Sequence, residues 1–125
     1  NEVSSARGER RKLKSATKSL AGFSLLLGLD NKKSKPVDVK HHNVYFPENY
    51  DLEFDQIFTQ KVPVTDPTIY LCAPKDSSMV KGADKDAWFV LVNAPRHEPE
   101  SGWDWKDGGQ EYAQKIISIT RSISK

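Results

Sequence analysis

Ala87-Trp88-Phe89-Val90-Leu91-Val92, followed by Asn93-Ala94-Pro95, is the stretch whose reading decides the fold. It is apolar at nearly every position, as in a β-strand covered on both faces. Upstream, Thr68 to Ala73 reads as a further strand behind the break at Asp66-Pro67, and residues 74–86 join the two through a polar loop. Asn43 to Phe46 is a short β-branched and aromatic strand. Leu20 to Leu29 alternates Phe23, Leu25, Leu27 and Leu29 with Gly22, Ser24, Leu26 and Gly28. That alternation predicts a strand with one bulky face and one small face, the small one open to close approach by another element.

Between the strands the period changes. Pro47 opens a helical pattern in which Tyr50, Phe54, Ile57 and Phe58 share one side, an aromatic stripe expected to be core. Farther on, Asp107 is expected to cap a helix, with Gln110 three residues later completing a capping box. Tyr112, Ala113, Ile116, Ile117, Ile119, Thr120 and Ile123 then form an apolar stripe. The order strand, strand, helix, strand, strand, helix predicts an α+β fold: a mixed, mostly antiparallel sheet with helices on one face.

A chain of 125 residues suits one domain with a modest core. Its single cysteine, Cys72, rules out an internal disulfide and suits a reducing compartment. The longest apolar run, Ala21 to Leu29, is far too short to span a bilayer. The formal net charge of +2 is uneven, because residues 1–18 carry a local balance of +4 and leave −2 for the remainder. That basic segment lacks interleaved aromatics, so it does not point to nucleic acid and is expected to be a solvated helix face or frayed terminus. Lys32, Lys33 and Lys35, closed by Pro36, are expected to form a solvated turn. A start at Asn1 suggests a piece of a longer protein, with residues 1–18 as a basic segment at its edge and 19–125 as the folded part.

Few motifs carry chemistry. No Gly-x-Gly-x-x-Gly follows a strand, so the dinucleotide fingerprint is missing from this sequence. Gly108-Gly109 at a helix start could attract an anion, but Asp104, Asp107 and Glu111 around it oppose a phosphate. Cys72, in the middle of an expected strand, is read as inert packing. His41-His42 invites a metal, with His97 as a third ligand. Adjacent strand residues point to opposite faces, so the expectation is that the pair forms no metal site. Trp103-Asp104-Trp105 could stack on a sugar or polyene and is expected instead to anchor a loop.

Taken in order, several segments resemble the FAD-dependent carotenoid desaturases, the phytoene dehydrogenase family. They are Ser19 to Phe23, Leu27-Gly28-Leu29, His41-His42, Asn49-Tyr50, Glu53-Phe54-Asp55, Asp66-Pro67-Thr68-Ile69-Tyr70, Phe89-Val90-Leu91-Val92 with Asn93-Ala94-Pro95, and Asp104-Trp105. The resemblance covers about residues 19 to 124, with departures at Pro36-Val37-Asp38-Val39 and at Asp76-Ser77-Ser78. It implies the substrate domain of an amine-oxidase-like or phytoene-desaturase-like flavoprotein that inserts double bonds into a C30/C40 isoprenoid. In such a protein FAD sits mainly in a Rossmann-like domain outside this segment, so the chain alone is expected not to bind it. The resemblance further implies a carotenoid substrate, the FAD-binding domain of the same protein as partner, and a cytoplasmic location with peripheral membrane contact. It carries over no catalytic residue. Phe23, Leu25 and Leu27 are expected to line the substrate, the alternative being ordinary core beneath the final helix. A related carotenoid oxidase, ketolase or retinol saturase, or a lipid-binding module without chemistry, remain the other readings.

Overall fold

Four strands form one antiparallel sheet in the computed structural model, in the order β1-β4-β3-β2. They are β1 (Ala21–Asp30), β2 (His42–Tyr45), β3 (Ile69–Cys72) and β4 (Lys85–Ala94). The helices are α1 (Glu2–Ser15), α2 (Tyr50–Phe54), which runs into a π-helical turn at Asp55–Gln60, and α3 (Trp105–Ile123). The structure describes residues 2–16, 18–32, 37–76, 78, 80, 82–98 and 101–124. Lys33, Lys35 and Pro36 of the second basic cluster, and Ser77 of the polar loop, lie outside the described residues. The α+β class expected from the sequence is the one observed, with every pairing antiparallel.

β4 pairs with β1 on one side and β3 on the other, which explains why its sequence is apolar throughout. Coverage nevertheless alternates. Trp88, Val90, Val92 and Ala94 are buried, while Phe89, Leu91 and Asn93 are only half-buried. The expectation of a strand covered on both faces is therefore corrected to one covered face among the described residues. Phe23, Val92, Ile69 and Tyr45 line up across all four strands on that face, and Leu25, Val90 and Leu71 form the next row. Together with Tyr112 and Ile116 of α3 they make up the main core. Removing each such aliphatic side chain from water stabilises the fold by about 1.5–3 kcal/mol.

α3 begins one turn earlier than expected. Asp104, in an extended conformation, is the cap: its Oδ1 accepts the Lys106 N–H at 2.8 Å. Asp107 sits instead in the first turn, where a carboxylate favours the helix dipole. Packing explains the shift. Trp105 stacks on Phe23 with centroids 5.4 Å apart, and Phe23 meets Tyr112 edge-on at 5.1 Å. The Trp103 ring lies over Gly108, where an added Cβ would collide with it, so only glycine fits. Trp103 is thus the anchor that the sequence suggested.

The segments after β2 hold the end of the sheet where β3 starts and β4 finishes. Asn49 caps α2 through Oδ1, which accepts the Leu52 N–H at 3.1 Å. Glu53 is 1% exposed and accepts three hydrogen bonds: from Thr68 N at 3.0 Å, Thr68 Oγ1 at 2.6 Å and Asn93 Nδ2 at 3.0 Å. Three motifs distant in sequence therefore meet at one buried carboxylate. Gln56, in the π-helical turn, accepts from Thr65 N at 2.9 Å and its Nε2 donates to Thr65 Oγ1 at 3.1 Å. Lys61, with φ 56°, closes that turn in the left-handed region. Tyr112 donates to the Val64 carbonyl at 3.1 Å. Burial, with the Glu53 carboxylate adding, pushes its phenol above the ordinary range. Burial also raises the Glu98 carboxyl, but Arg96 at 2.9 Å, with Lys61 and Lys18, outweighs this and holds it below its ordinary value.

Candidate functional site

Antiparallel register places Leu26, Phe89, Cys72 and His42 in one row across the sheet, on the face away from α3. Ser24, Leu91, Tyr70 and Val44 form the adjacent row. This face is open among the described residues: Leu26 is 84% exposed and Val44 51%, while Tyr70, Phe89 and Leu91 are half-buried. Tyr70 and Phe89 meet edge-on at 6.3 Å. Gly22 lets Leu91 lean across the strand, since a Cβ there would stand 2.9 Å from Leu91 Cδ1. The small positions of β1 thus admit a neighbouring strand's side chain. The result is a mostly apolar surface on hydrogen-bonded strands.

The expected substrate-lining residues occupy the other side. Phe23, Leu25 and Leu27 are half-buried and pack against the core that α3 covers. Alternation in β1 identified two faces; it held no information on which one a helix would take. Tyr70, Phe89 and Leu91 were missed as surface candidates, although for Phe89 and Leu91 the continuously apolar sequence of β4 was the signal.

One end of the open face gathers polar chemistry. His41 lies at a bend just before β2, so the opposite-faces rule for paired strand residues does not govern it. Its ring stands 4.3 Å from that of His42, centroid to centroid. The expectation that the two imidazoles diverge is corrected on this ground. His42 is paired with Cys72 across the ladder, and His42 Nδ1 is 2.8 Å from the Tyr70 hydroxyl. Burial raises the Tyr70 phenol above its ordinary value, and the neighbouring Cys72 thiol adds to this. Cys72 is half-buried and free, at the end of its strand rather than packed in its middle. His97 is exposed and is not part of this cluster.

A second surface feature runs along α2. Phe46, Tyr50, Phe54 and Phe58 form a ladder of ring contacts at 6.0, 5.0 and 6.1 Å. The stripe from Tyr50 to Phe58 was expected to be core. Ile57 is, at 3% exposed, but Tyr50 and Phe58 are 46% and 49% exposed, and Phe46 beside them is 71% exposed. The π-helical turn changes the residue spacing after Phe54 and so turns Gln56 and Ile57 inward. No helix among the described residues is long and apolar enough to cross a membrane. The start of α3 does not fit a dinucleotide phosphate: Asp104 caps it, Asp107 lies in its first turn and the Trp103 ring covers Gly108.

No protein-family model matches the chain. Curated proteins do. The chain is 35% identical to the zeta-carotene-forming phytoene desaturase of Myxococcus xanthus over 99 residues, 78% of this chain and 18% of that protein. It is 37% identical to the 1-hydroxycarotenoid 3,4-desaturase of a Flavobacterium species, over 74% of this chain and 17% of that protein. Against the 4,4'-diapophytoene desaturase of a Methylomonas species it is 32% identical, over 84% of this chain and 20% of that protein. The chain therefore belongs with the carotenoid desaturases, as a segment of that family. It spans about a fifth of the length of these relatives.

Proposed function

We propose that residues 19–125 are part of the substrate domain of an FAD-dependent carotenoid desaturase, with 1–18 a basic segment at its edge. The complete enzyme would introduce double bonds into a C30/C40 isoprenoid, and this segment would supply the wall that the polyene meets. The open sheet face supports this reading: Leu26, Val44, Tyr70, Phe89 and Leu91 present apolar surface from all four paired strands. A hydrocarbon offers no hydrogen bonds, so its recognition depends on apolar side chains held on a preformed surface. On this reading Phe23, Leu25 and Leu27 stiffen the wall from behind. FAD, held by the remaining domain of the same protein, supplies the redox chemistry; this chain orients the substrate and excludes water. The enzyme is cytoplasmic and peripheral to the membrane, and the exposed Phe46, Tyr50 and Phe58 suit an interface where isoprenoids are stored.

Paired substitutions in the complete protein test which face meets substrate. Leu26→Phe is expected to reduce the number of desaturation steps, read by chromatography of the products, with an unchanged melting temperature. Leu25→Phe is expected to lose ~1–3 kcal/mol of stability by overpacking while keeping the product profile. The reverse pattern would return the substrate to the Phe23 side. Altered stability and unaltered products in both variants would remove this segment from the substrate path.

A further inference from the structure

We propose that His41, His42 and Cys72 bind one Zn²⁺ ion at the β2 end of the open sheet face. Each residue offers one ligand atom, and the three atoms lie within 4.8 Å of one another. Zinc takes imidazole nitrogen at about 2.0–2.1 Å and thiolate sulfur at about 2.3 Å, so its ligand atoms stand roughly 3.5 Å apart. Both imidazoles are exposed, so the proposed site needs only their side-chain rotation to close that difference. Two imidazoles and one thiolate form a borderline-soft set that favours zinc over magnesium or calcium. Three protein ligands leave the fourth tetrahedral position to water.

The backbone already holds the three residues together. His42 and Cys72 face each other across the β2–β3 ladder. The His41 carbonyl accepts the Ala73 N–H at 2.8 Å, fixing the residue before β2 to the residue after β3. Asn43 closes the bend: Oδ1 accepts the Lys40 N–H at 3.0 Å, while Nδ2 donates to the Lys40 carbonyl at 2.7 Å and the Leu71 carbonyl at 3.2 Å. The Tyr70 hydroxyl, 2.8 Å from His42 Nδ1, holds that ring beside the cluster. An outer hydrogen bond of this kind accompanies most metal-binding histidines. The inference rests on this geometry alone and is independent of the desaturase reading.

The test is a titration of reduced, tag-free protein with Zn²⁺ in competition with a chromophoric chelator. One equivalent should bind. His41→Ala, His42→Ala and Cys72→Ser should each weaken binding by at least about tenfold, and Tyr70→Phe by roughly tenfold. His97→Ala should leave it unchanged. Circular dichroism checks that each variant is folded, and Cys72→Ala replaces Cys72→Ser if the serine variant is not. Because Cys72 is the sole cysteine, alkylation of the unaltered protein gives a second reading: saturating Zn²⁺ should slow it at least about tenfold. Co²⁺ should give a thiolate charge-transfer band that disappears with Cys72. Sub-stoichiometric zinc, alkylation indifferent to zinc, or binding that survives loss of the thiol would overturn the site. So would equal weakening by His97→Ala, or binding of copper but not zinc.

Discussion

The two faces of the sheet come from the same four strands and end differently. On one, Val90, Val92, Ile69 and Leu71 are at most 1% exposed, sealed by Tyr112 and Ile116. On the other, Leu26 keeps 84% of its surface and Val44 51%. Apolar surface contributes to stability only when it leaves water. The covered face therefore accounts for the fold, and the open face is apolar without contributing comparably to it. A contiguous exposed apolar surface on a stiff support marks a place where something else binds. The covered face makes this chain fold, and the open face is the one the proposal assigns to a ligand.

The largest effect should come from the covered face. Ile116 is 0% exposed at the centre of the α3 contact. Ile116→Ala should cost about 2–5 kcal/mol in urea unfolding, because the surrounding strands cannot collapse into the space. A loss below ~1 kcal/mol would mean that α3 is a loose cover and that the contrast between the faces is smaller than it looks.

Glu53 sharpens the comparison at the sheet's end, where a buried polar group does what apolar packing does elsewhere. Glu53→Gln keeps the volume but replaces an acceptor by an amide N–H donor. One Gln oxygen can still serve either the Thr68 donors or Asn93, and the other side then faces a donor. The expected cost is about 1–3 kcal/mol in the same measurement. An unchanged midpoint would show that water replaces the carboxylate there, and that this end of the sheet is less sealed than its 1% exposure implies.

Much of the fold was legible because its signals are local. Alternation in β1, the apolar run of β4 and the stripe from Tyr112 to Ile123 each specify an element from its own residues. What was not legible depends on partners distant in sequence. Asp104 and Asp107 are both plausible caps, and the contacts of Trp103 with Gly108 and of Trp105 with Phe23 decide between them. Glu53 is separated by 15 residues from Thr68 and by 40 from Asn93, so no local pattern announces their bond. The family resemblance quoted those same segments without giving a physical reason for them. His41 escaped the pleat rule because it stands one residue outside its strand. Which face α3 would cover was likewise invisible, since alternation is symmetric between the two.

The smallest effect should be on the open face, and there a null result is the informative one. Leu26→Ser removes an apolar side chain that is 84% exposed, so little surface returns to water and no cavity forms. Serine is tolerated in the same strand two residues earlier, at Ser24, whose side chain points the same way. The change in unfolding free energy of this chain should stay within about 0.5 kcal/mol. On the proposed reading, the same substitution in the complete protein should weaken uptake of the isoprenoid, because a hydroxyl would then sit without a hydrogen-bond partner on the wall that the hydrocarbon meets. Stability and uptake are thus expected to separate at Leu26. If Leu26→Ser instead destabilises this chain by ~1 kcal/mol or more, Leu26 is packed against part of its own fold, and the open face loses its claim to be a surface kept for a ligand.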